Sequence, residues 1–166
     1  MQRIIILLIL IISFSSCKSS KSINTKKNRE VNKVETKPLA KANDIVDYAK
    51  QFEGVRYKYG GTTKKGMDCS GLIHTSFKSE DISLPRTTKD LAINGDWVDL
   101  KAVKKGDLLF FATKKNSRKV NHVGIVTNAQ IGRVEFIHSS SSKGVIRSLL
   151  SEKYWYFAFV QARRVL

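Results

Sequence analysis

The sequence predicts an α+β domain, in which helices come first along the chain and antiparallel strands follow. In the first half, Ile45, Ala49 and Phe52 recur at helical spacing, and Gly54 follows as a stop signal. After Gly106, short apolar runs typical of buried strands replace that spacing. The length of 166 residues and the 42% of hydrophobic residues suit one compact domain with a tail.

The N-terminus has the character of an export signal. Its apolar run, Ile4–Ile12, is too short to span a bilayer, and mostly small residues then lead to Cys17. This arrangement resembles a bacterial lipoprotein signal, whose cysteine is acylated. We therefore expect residues 1–17 to be a lipoprotein signal and lipidated Cys17 to anchor an exported protein to a bacterial membrane, on the periplasmic side of the outer membrane. Plain signal cleavage with an unmodified Cys17 is the alternative.

The next segment is predicted to be a flexible basic linker, residues 18–42. Residues 18–37 hold seven Lys or Arg against two Glu, and apolar residues are few. Asn43 is a good N-cap, so the first helix is expected to begin there. The folded domain is accordingly predicted to span residues 43–166.

The remaining elements follow from local patterns. A second helix is predicted to begin at Asp68 and Cys69 and to run through Phe77. A turn around Pro85 leads to a short helix at residues 89–94. Four apolar runs then predict strands: Leu108–Phe111, His122–Thr127, Val134–His138 and Phe157–Ala162.

The net charge of +16 indicates an anionic neighbourhood: nucleic acid, an acidic membrane face or an acidic polymer such as the cell wall. Export and the absence of an aromatic-basic stripe argue against nucleic acid. A protein that acts at a membrane or wall is therefore expected. We also expect it to be a monomer.

Cys69 is the strongest candidate for a functional residue. The only other cysteine is Cys17, so Cys69 has no disulfide partner in the mature chain. A lone cysteine with histidines elsewhere, here His122 and His138, is typical of a nucleophile and its base. A helix N-terminus would lower the pKa of the thiol, and backbone N–H groups near Gly71 would form an oxyanion hole. An inert buried cysteine with two core histidines is the alternative.

A hairpin between two predicted strands would bring the histidines together. If residues 128–132 form the loop, Thr127 pairs with Arg133, and the same register places His122 opposite His138 on one face of the sheet. His138 would then orient the ring of His122, which is the logic of a catalytic triad.

His74 and a zinc site are two further possibilities that the sequence raises. His74 lies on the second helix, where its side chain should point elsewhere, so a structural or exposed role is expected. One cysteine and two histidines would also suit zinc, but no closely spaced ligand pair is present. No metal or other cofactor is therefore expected.

Taken together, the motifs resemble those of the NlpC-type family of bacterial cell-wall peptidases, a branch of the papain-like cysteine peptidases, and most of all its small lipoprotein members. The resemblance covers about residues 44–166. Its strings are Gly54–Gly61, Asp68–Gly71, Leu84–Thr87, Gly106–Phe111, His122–Ile125 and Phe136–His138.

This resemblance implies a papain-like fold with N-terminal helices packed on a central antiparallel sheet or half-barrel. By position, it implies Cys69 as the nucleophile, His122 as general base and acid, and His138 as the orienting third member. It also implies that Tyr57 lies near the oxyanion, and that two residues which flank the nucleophile, Asp68 and Ser70, bind substrate.

The function that the resemblance implies is hydrolysis of peptidoglycan stem peptides, between γ-D-glutamate and a diamino acid. Without the resemblance, the candidate residues predict only the class of reaction. A thiolate attacks an amide, an acyl-enzyme forms, and water hydrolyses it. An amidase or acyltransferase on the same fold and a non-catalytic wall-binding lipoprotein are the alternatives.

Overall fold

The structure is a computed structural model that describes the backbone of residues 25–166 and the side chains of residues 37–166. Residues 34–166 form one compact unit. The expected signal and Cys17 lie outside the described residues. Within residues 25–166, no helix combines the length and the apolar character that crossing a bilayer requires.

The described chain contains four α-helices, a short 3₁₀ turn and eight strands. The helices are α1 (Thr25–Lys50), α2 (Cys69–Lys78), α3 (Thr88–Leu91) and α4 (Lys153–Ala158), and the 3₁₀ turn is Leu100–Ala102. The strands are β1 (Thr62–Thr63), β2 (Gly66–Met67), β3 (Asp96–Val98), β4 (Leu108–Phe111), β5 (His122–Gln130), β6 (Arg133–Ser140), β7 (Gly144–Leu149) and β8 (Phe159–Arg164).

Helix α1 differs from its expected extent. It begins at Thr25 and not at Asn43, so residues 25–42 of the expected linker are helical and Pro38 lies inside the helix. Many of these residues are Lys, Glu and Ala, which favour helix, and this tendency outweighs the polar composition that suggested disorder. Among the described side chains, burial in α1 begins at Ala42. The boundaries of the folded domain stay a prediction.

A six-stranded antiparallel sheet, in the order β3-β8-β4-β5-β6-β7, forms the centre of the fold. Successive residues of β4 point to opposite faces. Leu108 and Phe110 join a core cluster with α1 and α2, whereas Leu109 and Phe111 join a second cluster with α4. Helices therefore cover the sheet, and the predicted α+β class is confirmed.

The local predictions were partly right. Helix α2, strand β4 and the cores of β5 and β6 are confirmed, and the short third helix is Thr88–Leu91, where residues 89–94 were expected. The last strand was placed too early, because Phe157 belongs to α4. Strands β3 and β7 and helix α4 were missed.

The predicted register of the β5–β6 hairpin was wrong by two residues. The loop is a two-residue turn, since Gln130 pairs with Arg133. Beyond a bulge between Val126 and Asn128, Ile125 pairs with Ile137, and the same register continued by one residue sets Gly124 beside His138. A shift of two residues keeps every side chain on its face. His122 therefore still shares a face with His138, but diagonally.

Candidate active site

The candidate nucleophile occupies the first position of α2. Asp68 is the N-cap, with extended backbone, and its Oδ1 accepts the N–H of Gly71 at 2.7 Å. Cys69 follows directly and is partly exposed. Its Sγ lies 3.6 Å from Oγ1 of Thr88 at the start of α3. The capping signal seen in the sequence thus fixes where the thiol emerges from the helix.

A carboxylate–guanidinium pair holds this helix start. Asp68 is 6% exposed, and Arg86 reaches both of its oxygens at 2.9 Å. The second oxygen also accepts the N–H of Gly60 at 2.7 Å, while Arg86 donates to Oγ of Ser70 at 2.7 Å. A side chain on Gly71 would collide with the carbonyl of Gly61, so glycine is required for the loop to pack here. These contacts fasten the loop before the nucleophile to the helix that carries it.

The two histidines form a chain of hydrogen bonds across β5, β6 and β7. Nε2 of His122 lies 3.0 Å from Nδ1 of His138, whose Nε2 lies 3.2 Å from Oγ of Ser148. His138 is fully buried. Gly124 gives the pair room, because even a Cβ there would lie 3.2 Å from the Cβ of His138.

Aromatic rings enclose the histidine pair. The Trp155 indole stacks on His122 with ring centroids 5.4 Å apart and meets the edge of His138 at 4.6 Å. Phe136 lies 5.0 Å from His138, and Phe111 packs on both Phe136 and Trp155. Burial against these rings disfavours a charged imidazole, which lowers the pKa of His122 to about 4 and that of His138 to about 3.

The thiol does not have the lowered pKa that its helix position suggested. Burial raises the pKa of the Cys69 thiol, and the negative charge of Asp68 adds to this. Hydrogen bonds from Thr88 and from the backbone N–H groups of Val123 and Ser70 act in the opposite direction without cancelling it. A neutral thiol beside neutral imidazoles is therefore the resting state near pH 7.

The thiol and the two histidines line one cavity of about 520 Å³. Cys69, His122, His138 and Tyr57 all line it. The N–H of Val123, the residue after His122, approaches the sulfur, so the thiol lies against the start of β5. The phenol of Tyr57 has a raised pKa because of burial, with the nearby thiol as the next cause.

A second cavity of about 560 Å³ lies at the turn of the β5–β6 hairpin. Leu100, Ile131 and Tyr156 are among its lining residues, which include neither cysteine nor histidine. Ser151 and Tyr156 line this cavity and are the chain neighbours of Glu152 and Trp155, which line the first, so the two cavities adjoin along this segment. Because Cys69, His122 and His138 line the smaller cavity, we take that cavity as the candidate active site.

The two predicted substrate-binding residues lie beside the candidate active-site cavity's nucleophile but do not line that cavity. Asp68 and Ser70 are each 6% exposed, bind Arg86, and are not among the residues that line the cavity. The structural role expected for His74 is supported by its hydrogen bond to the carbonyl of Leu84 at 3.1 Å. Within residues 25–166, no three Cys, His, Asp or Glu side chains converge as metal ligands.

Three contacting residues escaped the sequence analysis. Thr88 approaches the thiol, Ser148 extends the histidine pair, and Trp155 forms its wall. Ser148 belongs to the missed strand β7 and Trp155 to the missed helix α4, so no local signal marked them. A threonine that starts a short helix after Pro85 and Arg86 was visible, but nothing in the sequence linked it to Cys69.

Comparison with known proteins gives consistent results. A model of the NlpC/P60 family matches residues 54–164. The murein DD-endopeptidase MepS/murein LD-carboxypeptidase of Escherichia coli is 41% identical over 123 residues, covering 74% of this chain and 62% of that protein. The gamma-D-glutamyl-L-lysine dipeptidyl-peptidase of Bacillus cereus is 35% identical over 130 residues, covering 78% of this chain and 38% of that protein.

A solved structure extends the likeness to three dimensions. The crystal structure of an NlpC/P60 family protein from Bacillus cereus superposes with a TM-score of 0.69 at 34% identity, covering 75% of this chain and 40% of that one. The match to each of these three proteins spans less than two thirds of that protein's own length.

Proposed function

We propose that this chain, which belongs to the NlpC/P60 family, is a cysteine peptidase that hydrolyses amide bonds in the stem peptides of peptidoglycan. The single observation that carries the proposal is the cavity shared by Cys69, His122 and His138. The names of the relatives, a murein endopeptidase and a glutamyl-lysine dipeptidyl-peptidase, support the substrate class.

In the proposed reaction, Cys69 is the nucleophile and His122 the base. Nε2 of His122 is engaged with His138, so Nδ1 is the ring nitrogen left to accept the thiol proton. Both groups are neutral at rest, and proton transfer therefore accompanies attack on the substrate carbonyl. The thiolate adds to the carbonyl carbon and forms a C–S bond, which gives a tetrahedral oxyanion. This intermediate collapses as the amide C–N bond breaks and His122 gives its proton to the leaving amine. Water that loses a proton to His122 then attacks the thioester, and the C–S bond breaks to release the acid and regenerate the protonated thiol.

Only some of the groups expected to stabilise the oxyanion are available for that role. The N–H of Gly71 is already taken by Asp68, which removes it from the predicted oxyanion hole. Tyr57 lines the same cavity as Cys69 and keeps the role that the family resemblance implies for it, as a donor near the developing negative charge.

The cleaved bond within the stem peptide is part of the proposal. The relatives' names differ on this point, one a DD-endopeptidase and LD-carboxypeptidase and the other a glutamyl-lysine peptidase. We assign the bond between γ-D-glutamate and the diamino acid, in agreement with the second. The loop between β4 and β5, residues 112–121, carries Lys114, Lys115, Arg118 and Lys119, which suits a substrate with several carboxylates. The net charge of +16 also has the right sign for the wall.

Export and lipid anchoring complete the proposal. The N-terminal signal and Cys17 support an exported, lipid-anchored protein on the periplasmic side of the outer membrane. Cys17→Ala should abolish incorporation of a labelled fatty acid and release the protein from the membrane fraction. Unchanged labelling would refute the anchor while leaving the peptidase proposal intact.

The decisive test compares the wild type with Cys69→Ala on purified muropeptides by mass spectrometry. We expect the variant to lose all detectable cleavage, because the nucleophile is absent, while its thermal unfolding stays close to the wild type. Ser76→Ala is the matched control on the same helix. Ser76 is fully buried, and its hydroxyl has no hydrogen-bond partner among the described residues, so its removal should leave cleavage unchanged.

The products separate the alternatives. New termini at D-glutamate support the proposed bond, and termini elsewhere in the stem would move it. Transfer of the acyl group to an added amine, faster than hydrolysis, would favour an acyltransferase. Retention on peptidoglycan without any product from the wild type would favour a wall-binding lipoprotein.

A further inference from the structure

We propose that Ser148 is a positioning residue that fixes the proton arrangement of the histidine pair, and so makes His122 a base toward the thiol. The inference rests on the proposed function for its kinetic consequence, but its structural content is independent of the substrate. Ser148 lies in β7 directly opposite Phe136 and is 8% exposed. Its hydroxyl ends the chain that runs from His122 through His138.

The three groups allow two proton arrangements. In the first, Nε2–H of His138 donates to Ser148, Nδ1 of His138 accepts from Nε2–H of His122, and Nδ1 of His122 keeps a free lone pair. In the second, Ser148 donates to Nε2 of His138, Nδ1–H of His138 donates to Nε2 of His122, and Nδ1 of His122 carries the proton. A neutral imidazole has one donor and one acceptor, so choosing the role of one nitrogen chooses all the others.

Only the first arrangement suits the proposed chemistry. The free lone pair on Nδ1 of His122 accepts the thiol proton, after which the imidazolium still donates through Nε2 to His138. In the second arrangement that nitrogen already holds a proton and cannot take another from the thiol. The arrangement of protons therefore decides whether the base is competent.

Ser148 selects the competent arrangement by accepting the hydrogen bond from His138. His138 is fully buried, so an unpaired N–H on its ring has no water to bind. Ser148 borders the cavity, and its O–H can donate a hydrogen bond to a water or substrate group there. Its hydroxyl can thus accept from the ring on one side while it donates on the other, which favours the first arrangement.

The experiment uses the folded protein with ¹⁵N-labelled histidine. Long-range ¹H–¹⁵N correlation spectra distinguish protonated from unprotonated ring nitrogens. At pH 7 we expect Nε2–H on both rings of the wild type. Ser148→Ala should move both histidines toward the other tautomer or a mixture, and kcat on muropeptides should fall roughly 5- to 50-fold with little change in KM.

A matched pair separates the hydroxyl from the shape of the side chain. Thr and Val have nearly the same shape, so Ser148→Thr should retain the wild-type tautomers and most of kcat, whereas Ser148→Val should resemble Ser148→Ala. Ser76→Ala, which removes a buried hydroxyl away from the cavity, should change neither.

Wild-type tautomers in Ser148→Ala and Ser148→Val would overturn the proposal, as would equal kcat values for the Thr and Val variants. The tautomers are measured without substrate. If they respond as expected but the wild type itself does not cleave muropeptides, so that no kcat values can be compared, the inference about Ser148 stands and the proposed function fails.

Discussion

At the start of α2, charge and backbone hydrogen bonds hold the nucleophile, whereas across the cavity aromatic rings hold the histidines. We call the first region, formed by Asp68, Cys69 and Arg86, the helix half. The second, formed by His122, His138, Ser148 and Trp155, is the sheet half. In the helix half, Asp68 accepts two backbone N–H groups and both arms of Arg86. In the sheet half, the polar contacts form a single chain of three side chains, and rings enclose it.

The two halves control the reacting groups in different ways. The helix half fixes geometry, since a buried carboxylate with four donors tolerates little movement. The sheet half fixes protonation, since burial lowers the pKa of His122 to about 4 and that of His138 to about 3. Polar contacts therefore position the thiol, while exclusion of water keeps the imidazole neutral and ready to accept a proton.

The largest effect on stability is expected when the helix half loses its charge. An Asn in place of Asp68 has one acceptor oxygen for the donors from Gly60, Gly71 and Arg86. Its NH₂ group is itself a donor and points at the donors that the oxygen does not serve. Asp68→Asn should lower the free energy of unfolding by roughly 3 kcal/mol, because buried donors lose their partner. Urea denaturation at pH 7 measures this change.

The same substitution at an exposed cap is the control for that comparison. Asp99 caps the 3₁₀ turn by accepting the N–H of Lys101 at 2.8 Å and is exposed. Asp99→Asn should cost about 1 kcal/mol or less. Equal losses at the two sites would contradict the claim that the helix half is held by its buried ion pair.

A smaller effect per side chain, now from the sheet half, is expected in acid. The unfolded chain binds a proton on each histidine below about pH 6.5, whereas the folded rings resist protonation down to about 4 and 3. The stability that neutral rings contribute is therefore complete above pH 6.5 and is lost as the pH falls toward 4. We expect a loss on the order of 2–3 kcal/mol for each ring between pH 7 and pH 4, beyond that from carboxylates.

His138→Asn isolates this contribution. The variant lacks one of the two buried rings, so its unfolding free energy should fall less steeply between pH 6.5 and pH 4 than that of the wild type. Denaturation series at several pH values provide both slopes. Parallel slopes would mean that His138 is not held neutral by burial, and the contrast between the two halves would then lose its basis.

The sequence predicted the helix half better than the sheet half, for physical reasons. An Asp N-cap followed by helical spacing is a local signal, so the position of Cys69 at the start of α2 could be inferred. The ion pair joins residues that are 18 positions apart, and nothing in the sequence pairs Arg86 with Asp68.

The sheet half depends on pairing between distant segments, which carries no local signature. The histidines were assigned to one face correctly, yet their register was off by two residues because a two-residue turn and a bulge replaced the expected five-residue loop. Phe157 was assigned to the last strand, but together with Trp155 it belongs to a short helix against the sheet. Tertiary packing decided both points.

The smallest effect concerns Thr88, whose hydroxyl lies near the sulfur. The hydrogen bond with Thr88 opposes the rise in the pKa of Cys69, but a bond to sulfur at 3.6 Å is weak. Thr88→Val keeps the shape and removes the hydroxyl, so the thiol should become slightly harder to ionise. Alkylation by iodoacetamide at pH 7 should slow roughly twofold, in proportion to the thiolate fraction.

Thr88→Ser keeps the hydroxyl and should react at nearly the wild-type rate, which separates the hydrogen bond from the packing of the methyl group. A slowing of tenfold or more in Thr88→Val would mean that this single contact governs ionisation of the thiol. Because the helix half is held mainly by Asp68 and Arg86, we expect the small value: position is set by the ion pair, and Thr88 only adjusts the acidity of a thiol already in place.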